Sequence, residues 1–211
     1  MAEGEARRCP WWVPAGVLLL TVAQLAVATF VDGLPQFEGK AFGARLAAYP
    51  VMMLVVPALW WLVHRREHGT GRGRSSPAGP PAVPWGAFAL VMAPFLIDVT
   101  GNTLDLYDTV VWWDDANHFV NWALLCGGLG LLITGRIGMP WARLLLVTGL
   151  GAVLAIAWEL GEWYTFIRHG TELDTAYTDT LGDEALGTLG AFVAGLVLAR
   201  RPGPEPGSWP R

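Results

Sequence analysis

"WWDDANHFVNWALLCGGLGLLI", residues 112–133, decides how the chain folds. Its second half, Ala123 to Ile133, is unbroken apolar sequence, while its first half sets Asp114, Asp115 and His118 between tryptophans. A carboxylate at the centre of a bilayer costs roughly 2.5–3.5 kcal/mol even on permissive insertion scales. Read as one helix crossing a membrane, the stretch puts its tryptophans at the interface and its charges at the mouth of a span.

The rest of the chain agrees with that reading. The 211 residues are 53% hydrophobic and only 15% charged, with a mean hydropathy of +0.40, and the apolar residues come in long blocks rather than alternating stripes. Six blocks, at 11–31, 46–64, 83–101, 115–134, 141–165 and 180–199, each approach the ~20 residues a spanning helix needs. Trp11, Trp12, Trp60, Trp61, Trp85, Trp112, Trp113, Trp141 and Trp163 mark their ends, while Pro50, Pro57 and Pro94 fall inside spans, where a membrane tolerates them. The fold class is all-α: a polytopic membrane protein with six transmembrane helices. It divides into an N-terminal hairpin (1–66), a flexible linker rich in Arg, Gly, Ser and Pro (67–83), a four-helix core (84–201) and a disordered tail (202–211).

Arg7, Arg8, the apolar stretch after them and Ala26-Val27-Ala28 have the layout of a signal peptide. Trp11 to Phe30 is nonetheless long enough to span, and is read as an uncleaved helix. Arginines set the orientation. Arg7, Arg8, Arg65, Arg66, Arg72, Arg74, Arg136, Arg143, Arg200 and Arg201 gather on one side, while the alternate loops hold Asp105, Asp108, Asp114, Glu172 and Asp174, with Lys40, Arg45 and Arg168 as their only bases. The positive-inside rule then places both termini in the cytoplasm. Cys9 and Cys126 are too far apart on this topology to pair, and no basic patch interleaved with aromatics suggests nucleic acid.

Asp98, Asp114, Asp115, Glu159, Glu162, Asp179 and Asp183, with His118, all fall near the outer ends of four spans. Glu159, for example, lies about 27 Å along its helix from Trp141. Asp114 and His118 are i and i+4, Glu159 and Glu162 are i and i+3, and Asp179 and Asp183 are i and i+4, so each pair shares a helix face. Asp114, and Thr178 or Asp179 on the last helix, could be no more than helix caps. That reading does not reach Glu159 or Asp183, which lie deeper. Crowded carboxylates cannot all ionise unaided, so either several hold protons or a cation supplies the missing charge.

Asp114, His118, Glu159, Glu162, Asp179 and Asp183 are therefore the candidate metal ligands, with His118 and Glu159 the candidate catalytic acid and base. Oxygen ligands with one imidazole suit Mg²⁺, Mn²⁺ or Ca²⁺, with Zn²⁺ or Fe²⁺ also open. Di-iron chemistry is not expected, since Glu162 stands where the Glu-x2-His motif needs its histidine. Arg168 is the only cation this reading places nearby. Asp105, Asp108, Glu172 and Asp174 read as solvated loop residues, and His64, His68 and His169 as incidental. Gly187, Ala191 and Gly195 form a small-x3-small ladder for close packing of the last helix.

Three motifs in order, D-x3-H-F (Asp114, His118, Phe119), E-x2-E-W (Glu159, Glu162, Trp163) and D-x3-D-x6-G-A (Asp179, Asp183, Gly190, Ala191), resemble the YjdF-type family of small bacterial inner-membrane proteins. More distantly they are similar to VanZ-like proteins. The resemblance covers about the C-terminal half. It departs at Thr178 and Glu184, where that family tends to carry tryptophan and methionine. What it implies is a polar site with no settled activity; VanZ-like proteins are associated with glycopeptide resistance.

Two functions follow as expectations. The first is a metal-dependent hydrolase or transferase acting on a lipid or lipid-linked envelope substrate at the outer face. The second is a non-enzymatic ion- or proton-binding accessory protein of the envelope. No nucleophile elbow, Cys–His pair or phosphate-cradling loop is present in the sequence.

Overall fold

In a computed structural model the described residues are 9–31, 33–38, 40–69, 82–165, 167–169 and 176–202, with side chains for all of them except 66–69 and 169. Among these residues the structure is helical, without strands. The helices are α1 (Trp12–Phe30), α2 (Phe42–Gly69), α3 (Trp85–Thr103), the short α4 (Leu106–Thr109), α5 (Trp113–Ile133), α6 (Pro140–Thr165) and α7 (Ala176–Ala199). All but α4 are long and apolar enough to cross a membrane, which makes this a multi-pass membrane protein. The linker lies outside the described residues except at its edges, because α2 continues through Gly69. Only Pro202 of the proposed tail is described.

Small residues set the packing. Methyl groups added at Gly187 and Gly190 would strike the Trp122 ring and the Phe119 backbone, so α7 lies hard against α5. Ala191 sits in the gap left by Gly151, and a Cβ added at Gly195 would lie 3.1–3.3 Å from the Leu144 backbone, so the same helix also lies hard against α6. The ladder read from the sequence is therefore the seam of the bundle. Gly128 admits α3 on the other side of α5, its Cβ position lying against Val91 and the Ala87 carbonyl.

The result is a row α6–α7–α5–α3–α1, with α2 closing over α1 and α3. One apolar cluster joins α5, α6 and α7 around Trp122, Cys126, Val147 and Ala191. A second joins α1, α2 and α3 around Leu25, Phe42, Tyr49 and Val99, and Trp158 of α6 packs against both. Pro50 and Pro57 leave α2 continuous. Thr21, Thr29, Thr103, Thr134 and Thr165 return their hydroxyls to the carbonyl four residues earlier, whereas the Thr148 hydroxyl of α6 is buried without a hydrogen-bond partner.

The two ends of the bundle differ in charge. At one end Lys40 bonds Asp108 at 2.7 Å, tying the α1–α2 connection to α4; this is the acidic end. That bond corrects the reading of Asp108 as simply solvated, and the Lys40 ammonium, donating to it, holds the Asp108 carboxyl below its ordinary value. At the opposite end Arg143 is buried. Its Nε donates to the Ile137 carbonyl at 2.6 Å and its Nη1 to those of Arg201 at 2.9 Å and Leu198 at 3.3 Å. Those carbonyls end α7 and the α5–α6 turn, and an arginine fork satisfies what the helix end leaves open.

Candidate functional site

The first two turns of α5 carry two polar stripes. Asp114, His118 and Trp122 recur at i, i+4 and i+8 on the side of α7 and α6, while Trp113, Asn117 and Asn121 recur with the same spacing, Trp113 against Gly101 of α3, Asn117 bonded to Tyr107 of α4 and Asn121 to Asn117. The helix begins at Trp113, and the residue before it, Trp112, makes no side-chain cap. Asp114 is therefore not a cap. It lies in the first turn with Asp115, where a carboxylate still meets the positive end of the helix dipole. Asp179 likewise lies inside the first turn of α7, which starts at Ala176, so a cap at Thr178 or Asp179 is also excluded. Those two residues look like loop in a reading of hydropathy alone, which starts the span at 180.

The close α5–α7 approach at Gly187 and Gly190 brings Asp183 to the histidine. His118 Nε2 lies 3.6 Å from Asp183 Oδ1 and 3.8 Å from Asp114 Oδ1, and Nδ1 lies 4.0 Å from Glu159 Oε1 on α6. Each of those separations is too long for a hydrogen bond. His118 Nδ1 is buried without a hydrogen-bond partner. One ligand atom each from Asp114, His118 and Asp183 can be chosen so that all lie within 4.8 Å of one another, a group able to hold a metal ion. Three helices thus converge on one imidazole. Asp183 and Glu159 are buried, whereas the Asp114 side chain is 45% exposed and leaves the cluster open toward the acidic end.

The other predicted residues flank this group. Glu162 is half-buried and lies within electrostatic reach of Glu159, Asp114 and Asp98, but also of Arg45. Asp179 is exposed, one turn nearer the helix end than Asp183, and acts on His118 through its charge. Asp115 is exposed. Glu172 and Asp174 lie outside the described residues, as do the side chains of His68 and His169. His64 stacks on Trp60 within α2, with centroids 4.2 Å apart, and its Nδ1 lies 2.7 Å from the Trp60 carbonyl.

Asp98 does not join the group. Its Oδ2 accepts from the Tyr49 hydroxyl at 2.8 Å and from Arg45 Nη1 at 3.2 Å, and its Oδ1 accepts from the Tyr107 hydroxyl at 2.8 Å. The acidic layer therefore does hold a cation besides Arg168, and it is Arg45, from the first turn of α2. Arg168 instead lies over the Tyr164 ring, 3.8 Å from its centroid. From the sequence Arg45 falls in an outer loop ahead of the block at 46–64, whereas α2 starts at Phe42 and carries it in its first turn. Its guanidinium lies over the Phe42 and Tyr49 rings, 5.3 and 6.0 Å from their centroids, a cation–π setting for a charge at a span's end. Asn117, Asn121 and Tyr107 were also missed, although the i, i+4, i+8 recurrence of Trp113, Asn117 and Asn121 was a visible signal.

No protein-family model matches this chain, and neither does any curated protein or solved structure.

Proposed function

We propose that the acidic end faces outward from a bacterial inner membrane, and that Asp114, His118 and Asp183 hold a divalent cation there. On this reading the protein is a membrane hydrolase or transferase for a lipid or lipid-linked envelope substrate. The observation that carries the proposal is His118. It stands between carboxylates of three helices, yet too far from each to be hydrogen-bonded, with Nδ1 unpartnered. Two ligands about 2.1 Å from a tetrahedral ion lie about 3.4 Å apart, so separations of 3.6 and 3.8 Å fit shared ligation better than ion pairing.

Oxygen ligands with one imidazole favour Mn²⁺, Mg²⁺ or Zn²⁺, and such an ion supplies Lewis acidity and a bound water of lowered pKa. Glu159, buried beside the imidazole, takes and returns the proton. Glu162 and Asp179 extend the field that draws cations in. A lipid reaches the cluster sideways, along the groove that Trp163, Tyr177, Thr180 and Leu181 form between α6 and α7. The three ordered motifs and their resemblance to YjdF-type and VanZ-like proteins support a polar site in the envelope.

Turnover of phospholipid and lipid-linked saccharide substrates in proteoliposomes tests this directly. Chelator-sensitive turnover that Glu159→Gln abolishes is the expected result. Turnover indifferent to chelator, or none from any lipid class, ends the enzymatic reading. A second, non-catalytic reading draws on the same geometry: an ion bound by α5, α6 and α7 together would staple them. Chelator-sensitive thermal stability without turnover is its signature.

A further inference from the structure

Asp98 heads a second polar system that meets the candidate cluster on the same helix. Beyond Arg45, Tyr49 and Tyr107, Asn102 Nδ2 also approaches Asp98, 3.4 Å from Oδ1. Two donors on each oxygen occupy the lone pairs of this carboxylate, so it has no capacity left for a cation. Its task is different. The Tyr107 hydroxyl that donates to Asp98 accepts from Asn117 Nδ2, and Asn117 Oδ1 accepts from Asn121 Nδ2 at 2.7 Å. Burial, with the Asp98 charge beside it, pushes the Tyr107 phenol well above its ordinary value, so it remains a neutral donor at every working pH. A continuous line of hydrogen bonds runs from α2 through α3 and α4 into α5, and it enters α5 one residue before His118.

That point of entry adds to what holds the first turn of α5, where the Trp113 N–H also donates to the Val110 carbonyl at 2.9 Å. Its cap position makes no side-chain bond. Trp113 is wedged against Gly101, where any Cβ would lie 2.5–3.0 Å from the indole, and meets the Tyr107 ring edge-on at 6.3 Å. Both supports pass through α3 and Tyr107.

We propose that Tyr107 is a positioning residue, which relays the Arg45–Asp98 pair of the N-terminal half to α5 and so holds Asp114 and His118 in register with Asp183. The geometry stands by itself; its consequence for ion binding rests on the function proposed above. The N-terminal pair of helices is then part of the site's construction and not only an anchor. Ligands held by an intact outer shell bind metal about 10–100-fold more tightly than ligands left to wander.

The test uses the full-length protein in nanodiscs, with Cys9→Ser and Cys126→Ala as background. Spin labels at Asp115→Cys and Thr178→Cys report the distance between α5 and α7 at the acidic end. Labels at Ile133→Cys and Arg200→Cys report the opposite end. Tyr107→Phe, which keeps the ring and removes only the hydroxyl, is expected to broaden the first distribution and leave the second unchanged. Asn117→Ser cuts the same line one bond later, is expected to do the same, and decides the matter if Tyr107→Phe does not fold. Mn²⁺ affinity, read by its own resonance, is expected to fall about 10–100-fold in both. Unchanged distributions in the variants overturn the proposal, as does equal broadening at the two ends. Selective broadening in a protein whose wild type binds no Mn²⁺ upholds the positioning role and defeats the metal reading instead.

Discussion

Substitution of Gly151 by alanine tests the seam on which the site depends. Gly151, Ala191 and Cys126 are all buried, and a methyl at 151 falls within the Ala191 side chain and 2.9 Å from Cys126 Sγ. Forcing a methyl into a closed contact costs about 1–3 kcal/mol, against a gain of about 0.8–1 kcal/mol in helix preference over glycine. Gly151→Ala alone should therefore destabilise by about 0–2 kcal/mol, a range too wide to decide anything. The double-mutant cycle with Ala191→Gly is decisive. It moves one methyl from α7 to α6, so the two helix-preference changes cancel and the steric conflict with Ala191 disappears. The contact with Cys126 persists in both backgrounds and makes the recovery partial. The expected coupling is about 1–3 kcal/mol in favour of the double variant. Equilibrium unfolding in mixed micelles, followed by tryptophan fluorescence, measures it. Additivity within about 0.5 kcal/mol would show that α6 and α7 do not touch here, and the route by which Glu159 reaches His118 would fail with it.

Two further outcomes follow from the bundle's ends. Arg143→Met leaves the carbonyls of Ile137, Leu198 and Arg201 without their donor, and hydrogen bonds to a charged group contribute about 1.5–3 kcal/mol, so a loss of that order in thermal unfolding is expected. Arg143→Lys, with a point charge in place of a fork, should recover only part of it. At the acidic end, Lys40 holds the Asp108 carboxyl below its ordinary value. A depressed folded-state value contributes stability above the unfolded pKa of about 4 that is lost as pH falls through the folded value. Wild type should thus lose more stability than Lys40→Met between neutral and strongly acidic pH, by an amount that salt erodes because Asp108 is exposed. A difference that persists at high salt would contradict that assignment.

Hydropathy made the six spans legible because a membrane demands long apolar segments, and it failed at their polar ends. Tyr177, Thr178 and Asp179 look like loop, yet α7 includes them. Arg45 looked like the end of a block, yet α2 starts at Phe42. Spacing brought whole pairs into the cluster only for Asp114 and His118; of Asp179 and Asp183, also i and i+4, Asp183 joins while Asp179 stays exposed. An i, i+3 pair is less tightly aligned, since three residues turn the helix by about 300°. Glu159 reaches His118 on that account, while Glu162 also comes within reach of Arg45. The link from Arg45 through Asp98 to Tyr107 joins residues 45, 98 and 107 on three elements, and no local spacing encodes it. "WWDDANHFVNW" carried more than its charges: its asparagines are the second stripe, by which the charged one is held.

Metal analysis of the purified protein after exposure to limiting chelator, beside His118→Ala and Asp183→Asn, tests the central claim most directly. The account predicts a divalent ion retained by wild type, with affinity falling at least about tenfold in either variant. Equal, weak binding by all three proteins would contradict it.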